Sequence, residues 1–143
     1  MVRANLNELE LHTGTIDGAP DVEAHFAFPM FWATGNASTA VLCVELEPGK
    51  SGPRHIDMPE EILLVERGLV EIEVGDERAQ FGPGELVLVP AMVPHAFCNV
   101  GDVRARIFGF FPSNTLVAIA DEVVQPIGGR VIGSPPPELT GAL

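Results

Sequence analysis

Basic side chains are scarce in this sequence: 8 Lys and Arg face 20 Asp and Glu across 143 residues, a net charge of −12. A chain so short of cations lacks the surface that phosphate backbones require, which excludes nucleic acid as a main partner. Cysteine is scarcer still, at two. Cys43 and Cys98 are too few for a disulfide framework and too isolated for a paired metal knuckle, and they read as reduced thiols of a cytoplasmic protein. The opening MVRANLNELE carries acids where a secretory leader has an apolar run, so no export is expected. No unbroken apolar stretch is available to cross a membrane either. Residues 24–44 are nearly uncharged, but Pro29, Gly35, Asn36 and Ser38 interrupt them. Phosphate loops, dinucleotide fingerprints and serine nucleophile elbows are also missing.

What is present is a foldable chain, 46% hydrophobic and 20% charged, of a length that suits one domain. Its 15 Gly and 13 Pro, without low-complexity repetition, point to short strands and frequent turns. Residues 40–47, 61–66, 69–74, 78–81, 86–89, 94–97 and 103–111 read as strands, with turn chemistry at Pro48-Gly49, Gly75-Asp76 and Gly82-Pro83-Gly84. Arg67-Gly68 reads as the turn of a hairpin joining 61–66 to 69–74. Such a series of short strands implies an all-β barrel or jelly roll. Residues 115–124 fit a helix by apolar spacing and a strand by their β-branched content. The organisation expected is an N-terminal arm with strands over 1–35, a barrel core over 36–112, and an extension over 113–143 that packs on the barrel. A loose tail is expected from Pro135-Pro136-Pro137.

Four candidate metal ligands fall in two clusters, His55, Asp57 and Glu61, then His95. On a strand, residues two apart share a face, so His55 and Asp57 point together. Glu61 would share its face with Leu63 and Val65, placing a carboxylate against an apolar interior where an ionised group needs a counter-charge. Two imidazoles with carboxylates suit Fe, Mn, Ni or Zn. Asp57 and Glu61 are also the candidate proton-transfer groups. Phe97 lies two residues from His95, and with Trp32, Met92 and Phe108 it is expected to line a substrate pocket. The bland readings are ordinary packing or solvent contact for His12 and His25, a solvated rim charge for Glu60, a surface salt bridge for Arg54, inert packing for Cys98, and a solvent face for Arg104 and Arg106.

Spacing adds a resemblance. GKSGPRHIDMPEEILLVERG sets Gly49, His55, Asp57, Glu61 and Gly68 at intervals of five, one, three and six intervening residues, and GELVLVPAMVPHAFCN sets Gly84, Pro90, Met92, His95 and Asn99. This is similar to the two motifs of the cupin superfamily, G-x5-H-x-H-x3-E-x6-G and G-x5-P-x-G-x2-H-x3-N, with a short gap over residues 69–83. Two positions depart: Asp57 stands where the family has its second His, and Met92 where it has Gly. The resemblance implies a single-domain double-stranded β-helix in which His55, Glu61 and His95 hold a divalent metal, Asp57 being a matching position with a different donor. It further implies a dioxygenase-like oxidoreductase acting on a small organic molecule. The alternatives it leaves open are a metal-dependent isomerase or lyase and a non-catalytic ligand-binding protein. A homodimer is the family expectation. Ile62 and Leu64, apolar on the face opposite Leu63 and Val65, agree with it, and residues 26–32 are the candidate partner surface.

Overall fold

A computed structural model describes residues 1–134, so the Pro135-Pro136-Pro137 tail lies outside the described residues. The chain is almost entirely β. Its strands are β1 (His12–Ile16), β2 (Ala19–Met30), β3 (Ala40–Leu46), β4 (His55–Asp57), β5 (Glu61–Arg67), β6 (Val70–Val74), β7 (Glu77–Phe81), β8 (Leu86–Val89), β9 (His95–Asn99), β10 (Ala105–Phe111), β11 (Val117–Val124) and β12 (Gly129–Gly133), with one 3₁₀ turn at Trp32–Thr34. They form two six-stranded antiparallel sheets, ordered β1-β2-β3-β10-β5-β8 and β12-β11-β4-β9-β6-β7. The jelly-roll expectation therefore holds. The first strands extend one sheet and the last strands extend the other.

Period-two alternation decides which face each strand buries. Val44 and Leu46 of β3, Leu63 and Val65 of β5, Val70 and Ile72 of β6, and Ala105 and Ile107 of β10 meet between the sheets as the core. Each such valine, leucine or isoleucine side chain contributes about 1.5–3 kcal/mol relative to exposure. On the outer face of the first sheet, cross-strand register aligns a second apolar set. Leu88, Ile62, Phe110, Val41 and Met30 form one row, and Leu86, Leu64, Phe108, Cys43 and Ala27 the next. In the first row Leu88 and Ile62 are 57% and 44% exposed.

Two expectations change here, and one open alternative is resolved. The run 61–66 does not form a hairpin with 69–74: β5 pairs with β10 and β8, whereas β6 pairs with β7 and β9. Gly68, at φ 88°, turns a corner between sheets, where a Cβ would press on Ala105. Residues 115–124 are extended, since β11 lies between β4 and β12 and takes backbone hydrogen bonds on both edges. Arg106 is not on a solvent face. It is 5% exposed, donates to Asn7 Oδ1 (3.3 Å) and the Leu6 carbonyl, and lies 5.1 Å from the Phe108 ring centroid. The N-terminal segment is thus fastened to the outer face of the sheet, and it covers the charge that alternation alone would leave in water.

Candidate metal centre

The centre lies between the sheets. β4 is only three residues long, yet it is paired on both sides: His55 stands opposite Ala120 of β11 and His95 of β9, and Asp57 opposite Ala118. The small Ala118 and Ala120 leave space on this face. Register brings the His55 and His95 rings to a centroid separation of 4.3 Å. Glu61 arrives from β5 in the opposite sheet and points inward with Leu63, as alternation requires. All four side chains are buried.

Contacts at the backbone orient the imidazoles. His55 Nδ1 lies 2.7 Å from the Pro53 carbonyl and His95 Nδ1 lies 2.9 Å from the Val93 carbonyl. A carbonyl only accepts, so each Nδ1 carries a hydrogen and each Nε2 faces the interior, where it offers a lone pair to an ion once deprotonated. There His95 Nε2 stands 3.0 Å from Asp57 Oδ2 and 3.5 Å from Glu61 Oε1, and His55 Nε2 stands 3.4 Å from Asp57 Oδ1. One ligand atom from each of His55, Asp57 and His95 fits within a 4.8 Å span. Both Asp57 oxygens, Glu61 Oε1 and His95 Nε2 are buried without a hydrogen-bond partner.

Buried polar atoms are nearly always paired, and these four orphans call for a shared cation: the Asp57 and His95 atoms belong to the one close cluster, and Glu61, outside that cluster, reaches it through His95 Nε2. The donor set fits one: two neutral imidazoles with two carboxylates neutralise a divalent ion and suit Fe(II) or Mn(II). The protonation of the bare site follows from the same geometry. Burial alone would raise the Asp57 carboxyl, but the imidazoles of His55 and His95 outweigh it and hold Asp57 well below the carboxylate range. Burial, against the pull of His95 and with the push of the Asp57 charge, lifts Glu61 to about 7. For His95, burial opposes protonation, yet Asp57 and Glu61 together raise it to about 10. Protons retained on Glu61 and His95 take the place of a metal ion in the bare site.

A cavity of about 80 Å³ adjoins the centre. Ala24, Phe26, Phe28, Phe97, Leu116 and Ala118 are among its walls, and His55 and Asp57 form its polar end. Of the four residues expected to line it, Phe97 does so. Trp32 is held elsewhere, its indole N–H donating to the Ser134 carbonyl at 2.7 Å. Phe108 shares the outer face with Arg106, and Met92 sits in the exposed turn before β9. Phe26 and Phe28 were missed because they were assigned to a partner surface, yet they alternate inward from β2. Gly109 was missed too: it faces Glu61 and leaves the carboxylate its space. A wider cleft of about 420 Å³, between β6–β7 and β8, has Glu77 and Arg78 as its charged walls and none of the centre's ligands.

The bland readings fare well elsewhere. Arg54 makes surface ion pairs with Asp121 (3.0 Å) and Glu73 (3.7 Å). His25 lies 2.8 Å from Thr13 Oγ1 across the β1–β2 pair.

Two facing antiparallel sheets with a histidine–carboxylate cluster between them define a small β-barrel with an internal metal-type site. Residues 42–111 match the family model described as the cupin domain, and this part of the chain is a cupin domain. The polyketide cyclase RemF from Streptomyces resistomycificus is similar in fold, at 21% identity and TM-score 0.66, over 78% of this chain and 79% of that one. KdgF from a Halomonas species aligns at 19% identity and TM-score 0.59, over 76% and 91%. An oxalate decarboxylase from Lactobacillus farciminis aligns at 17% identity and TM-score 0.69, covering 82% of this chain but 35% of its own. Identities this low establish the shared fold alone. No curated protein matches the chain in sequence.

Proposed function

We propose that the protein is a metal-dependent cupin oxidoreductase of dioxygenase type that acts on a small organic molecule. The observation that carries this is the grouping of four buried, unpartnered donor atoms from two sheets beside an apolar cavity that opens at one end. Two histidines and a carboxylate with an open side suit non-haem iron oxygen chemistry, and such an ion would supply Lewis acidity and redox capacity. The protein's own groups do the rest. His55 and His95, fixed at Nδ1, present Nε2 inward. Asp57, on the cavity wall, accepts a hydrogen bond from the substrate and orients it. Glu61 and His95 lie behind it, out of the cavity, and complete the ligand set. Phe26, Phe28 and Phe97 keep bulk water away from the reacting end.

Elemental analysis after loading with Fe(II) or Mn(II) should find near one equivalent per chain, with oxygen consumed during turnover, and His95→Ala should lose the metal. Wild-type protein that stays empty after loading with Fe, Mn, Ni and Zn would end the proposal. The lone carboxylate on an otherwise apolar wall also fits proton transfer in a metal-dependent isomerase or lyase. Turnover without oxygen uptake selects that reading, and a ligand retained unchanged selects a non-catalytic binding role.

A homodimer belongs to the same proposal. The apolar row Leu88–Ile62–Phe110–Val41–Met30 on the outer face supports it. Light scattering should give a dimer mass, reduced to a monomer by Leu88→Glu with Ile62→Lys; a wild-type monomer overturns it. A cytoplasmic location is supported by two cysteines that are both free. No helix among the described residues is long and apolar enough to cross a membrane.

A further inference from the structure

The composition of the cavity wall narrows the ligand. Seventeen residues line it, and fifteen of them are apolar side chains, glycine or proline; only His55 and Asp57 carry polar groups. No lysine or arginine is among them. Arg54, which precedes His55 in the chain, is engaged with Asp121 and Glu73; Arg104 is engaged with Glu45 and Glu47, and Arg130 with the Ala120 carbonyl. A carboxylate or phosphate entering this cavity would leave its water for a wall without a side-chain cation, at a centre where the charge of a divalent ion is already neutralised by Asp57 and Glu61. The site selects against anions.

The polar end asks for a donor. Both Asp57 oxygens are unpartnered acceptors, and His55 spends its one hydrogen on the Pro53 carbonyl. A hydroxyl group meets this need, since it donates to Asp57 and keeps its oxygen lone pairs for a cation at the centre. An ether or ketone supplies no hydrogen, and an ammonium leaves no lone pair. Size sets a further bound. An apolar cavity of about 150 Å³ holds a benzene, whereas this one has about 80 Å³ and opens beside Ile127, which is 51% exposed. The interior takes the hydroxyl-bearing edge of a ring or a short alkyl chain, and the remainder sits in the mouth. The rings of Phe26, Phe28 and Phe97 on the wall favour a flat aromatic guest.

We infer that the ligand of this site is an uncharged, apolar hydroxy compound of the phenol type, presented hydroxyl-first to Asp57, and that free carboxylates and phosphates are excluded. The inference rests on the proposed function in placing the ligand at the metal centre.

The test compares phenol with benzoate, which share the ring and differ in carrying a neutral hydroxyl or a charged carboxylate, by calorimetry or ligand-observed NMR on the whole chain, metal-loaded and metal-free. Phenol should bind with at least tenfold higher affinity than benzoate in both forms. Ile132→Trp, filling a half-buried position on the wall, should weaken phenol at least tenfold while the elemental content stays the same. Ile127→Arg needs no repacking and places the missing cation at the exposed mouth, so it should raise benzoate binding severalfold. Benzoate binding as tightly as phenol, phenol failing to bind, or phenol binding unchanged in Ile132→Trp overturns the inference. Loss of the metal reading leaves a separate signature, an empty protein in elemental analysis, because the probe preference is read on the metal-free form as well.

Discussion

Gly109 of β10 lies directly against the Glu61 carboxylate of β5, and a methyl group added at Gly109 would overlap Glu61 Oε2. Glycine is required here by the side chain it faces. Gly109→Ala should push the carboxylate away from His95 and weaken metal binding by about 10–100-fold, as losing a supporting contact around a metal site does. The overpacking should also cost about 1–3 kcal/mol of stability. Metal titration and urea denaturation measure the two effects. Wild-type metal affinity in Gly109→Ala would remove Glu61 from the ligand set.

The buried cluster sets an unusual pH dependence for the metal-free protein. Glu61, ordinarily 4.5, sits at about 7, so the folded chain keeps a proton that the unfolded chain releases, and stability falls as pH rises through that interval. His95, ordinarily 6.5, sits at about 10; its contribution is complete below 6.5 and lost as pH climbs to about 10. Asp57 acts in the opposite sense. Held below its ordinary 3.8, it stabilises above that pH and loses its contribution beneath it. These three groups together place the metal-free optimum near pH ~4–5. A bound cation displaces the protons on Glu61 and His95, so metal affinity should rise with pH across the same window. Urea midpoints at pH 5 and 9 should fall for the chelated protein and rise for the metal-loaded one, and His95→Gln should flatten the metal-free slope. A chelated wild type that is more stable at pH 9 contradicts the assignment.

Most of the barrel was legible because its central strands alternate or run apolar between clear turns. The runs at 40–47, 86–89 and 103–111 correspond to β3, β8 and β10. The ligand spacing was legible for the same reason, since His55 and Asp57 share a strand face whatever the tertiary context. What local pattern did not carry was the sheet each strand joins. Arg67-Gly68 makes a plausible hairpin turn, yet long-range pairing with β10 and β9 separates β5 from β6. Pocket residues were the weakest reading. The stretch from Arg106 to Phe111 is apolar on both faces, so hydrophobicity could not orient Phe108; Arg106, sharing its face, held the signal that it points outward. Phe26 and Phe28 depended on where β2 docks, which one chain segment does not reveal.

Met92 replaces the family's glycine at a position with φ 64°, a left-handed conformation that a side chain adopts only with strain. The turn is kept by its backbone, for the Met92 N–H donates to the Asp57 carbonyl at 2.8 Å, tying the loop before β9 to β4. The side chain itself is 51% exposed and has little packing to lose. Met92→Gly should therefore stabilise the protein by about 1 kcal/mol, the relief of strain exceeding the added freedom of the unfolded chain. Thermal unfolding with and without metal reads the change, and a lower midpoint in both states would show that the methionine contributes packing after all.

Asn99 closes the second motif only four residues from His95, but its work is of another kind. It is fully buried, with Nδ2 donating to the Leu46 carbonyl (2.9 Å) and the Val103 carbonyl (2.8 Å) while Oδ1 accepts from the Gly101 N–H (3.0 Å). The amide thereby joins the end of β3 to the loop between β9 and β10. None of its atoms is shared with the metal centre. Asn99→Ala deprives three backbone groups of their partner, the Leu46 carbonyl in a buried contact and those of Val103 and Gly101 in part-buried ones, and should cost about 3 kcal/mol. The folded fraction should still take up metal at the wild-type ratio, whereas His95→Ala should lose metal with a smaller loss of stability in the chelated state. Urea denaturation paired with elemental analysis separates the two variants. An Asn99→Ala protein of normal stability but reduced metal content would mean that the asparagine acts on the centre and not on the loop.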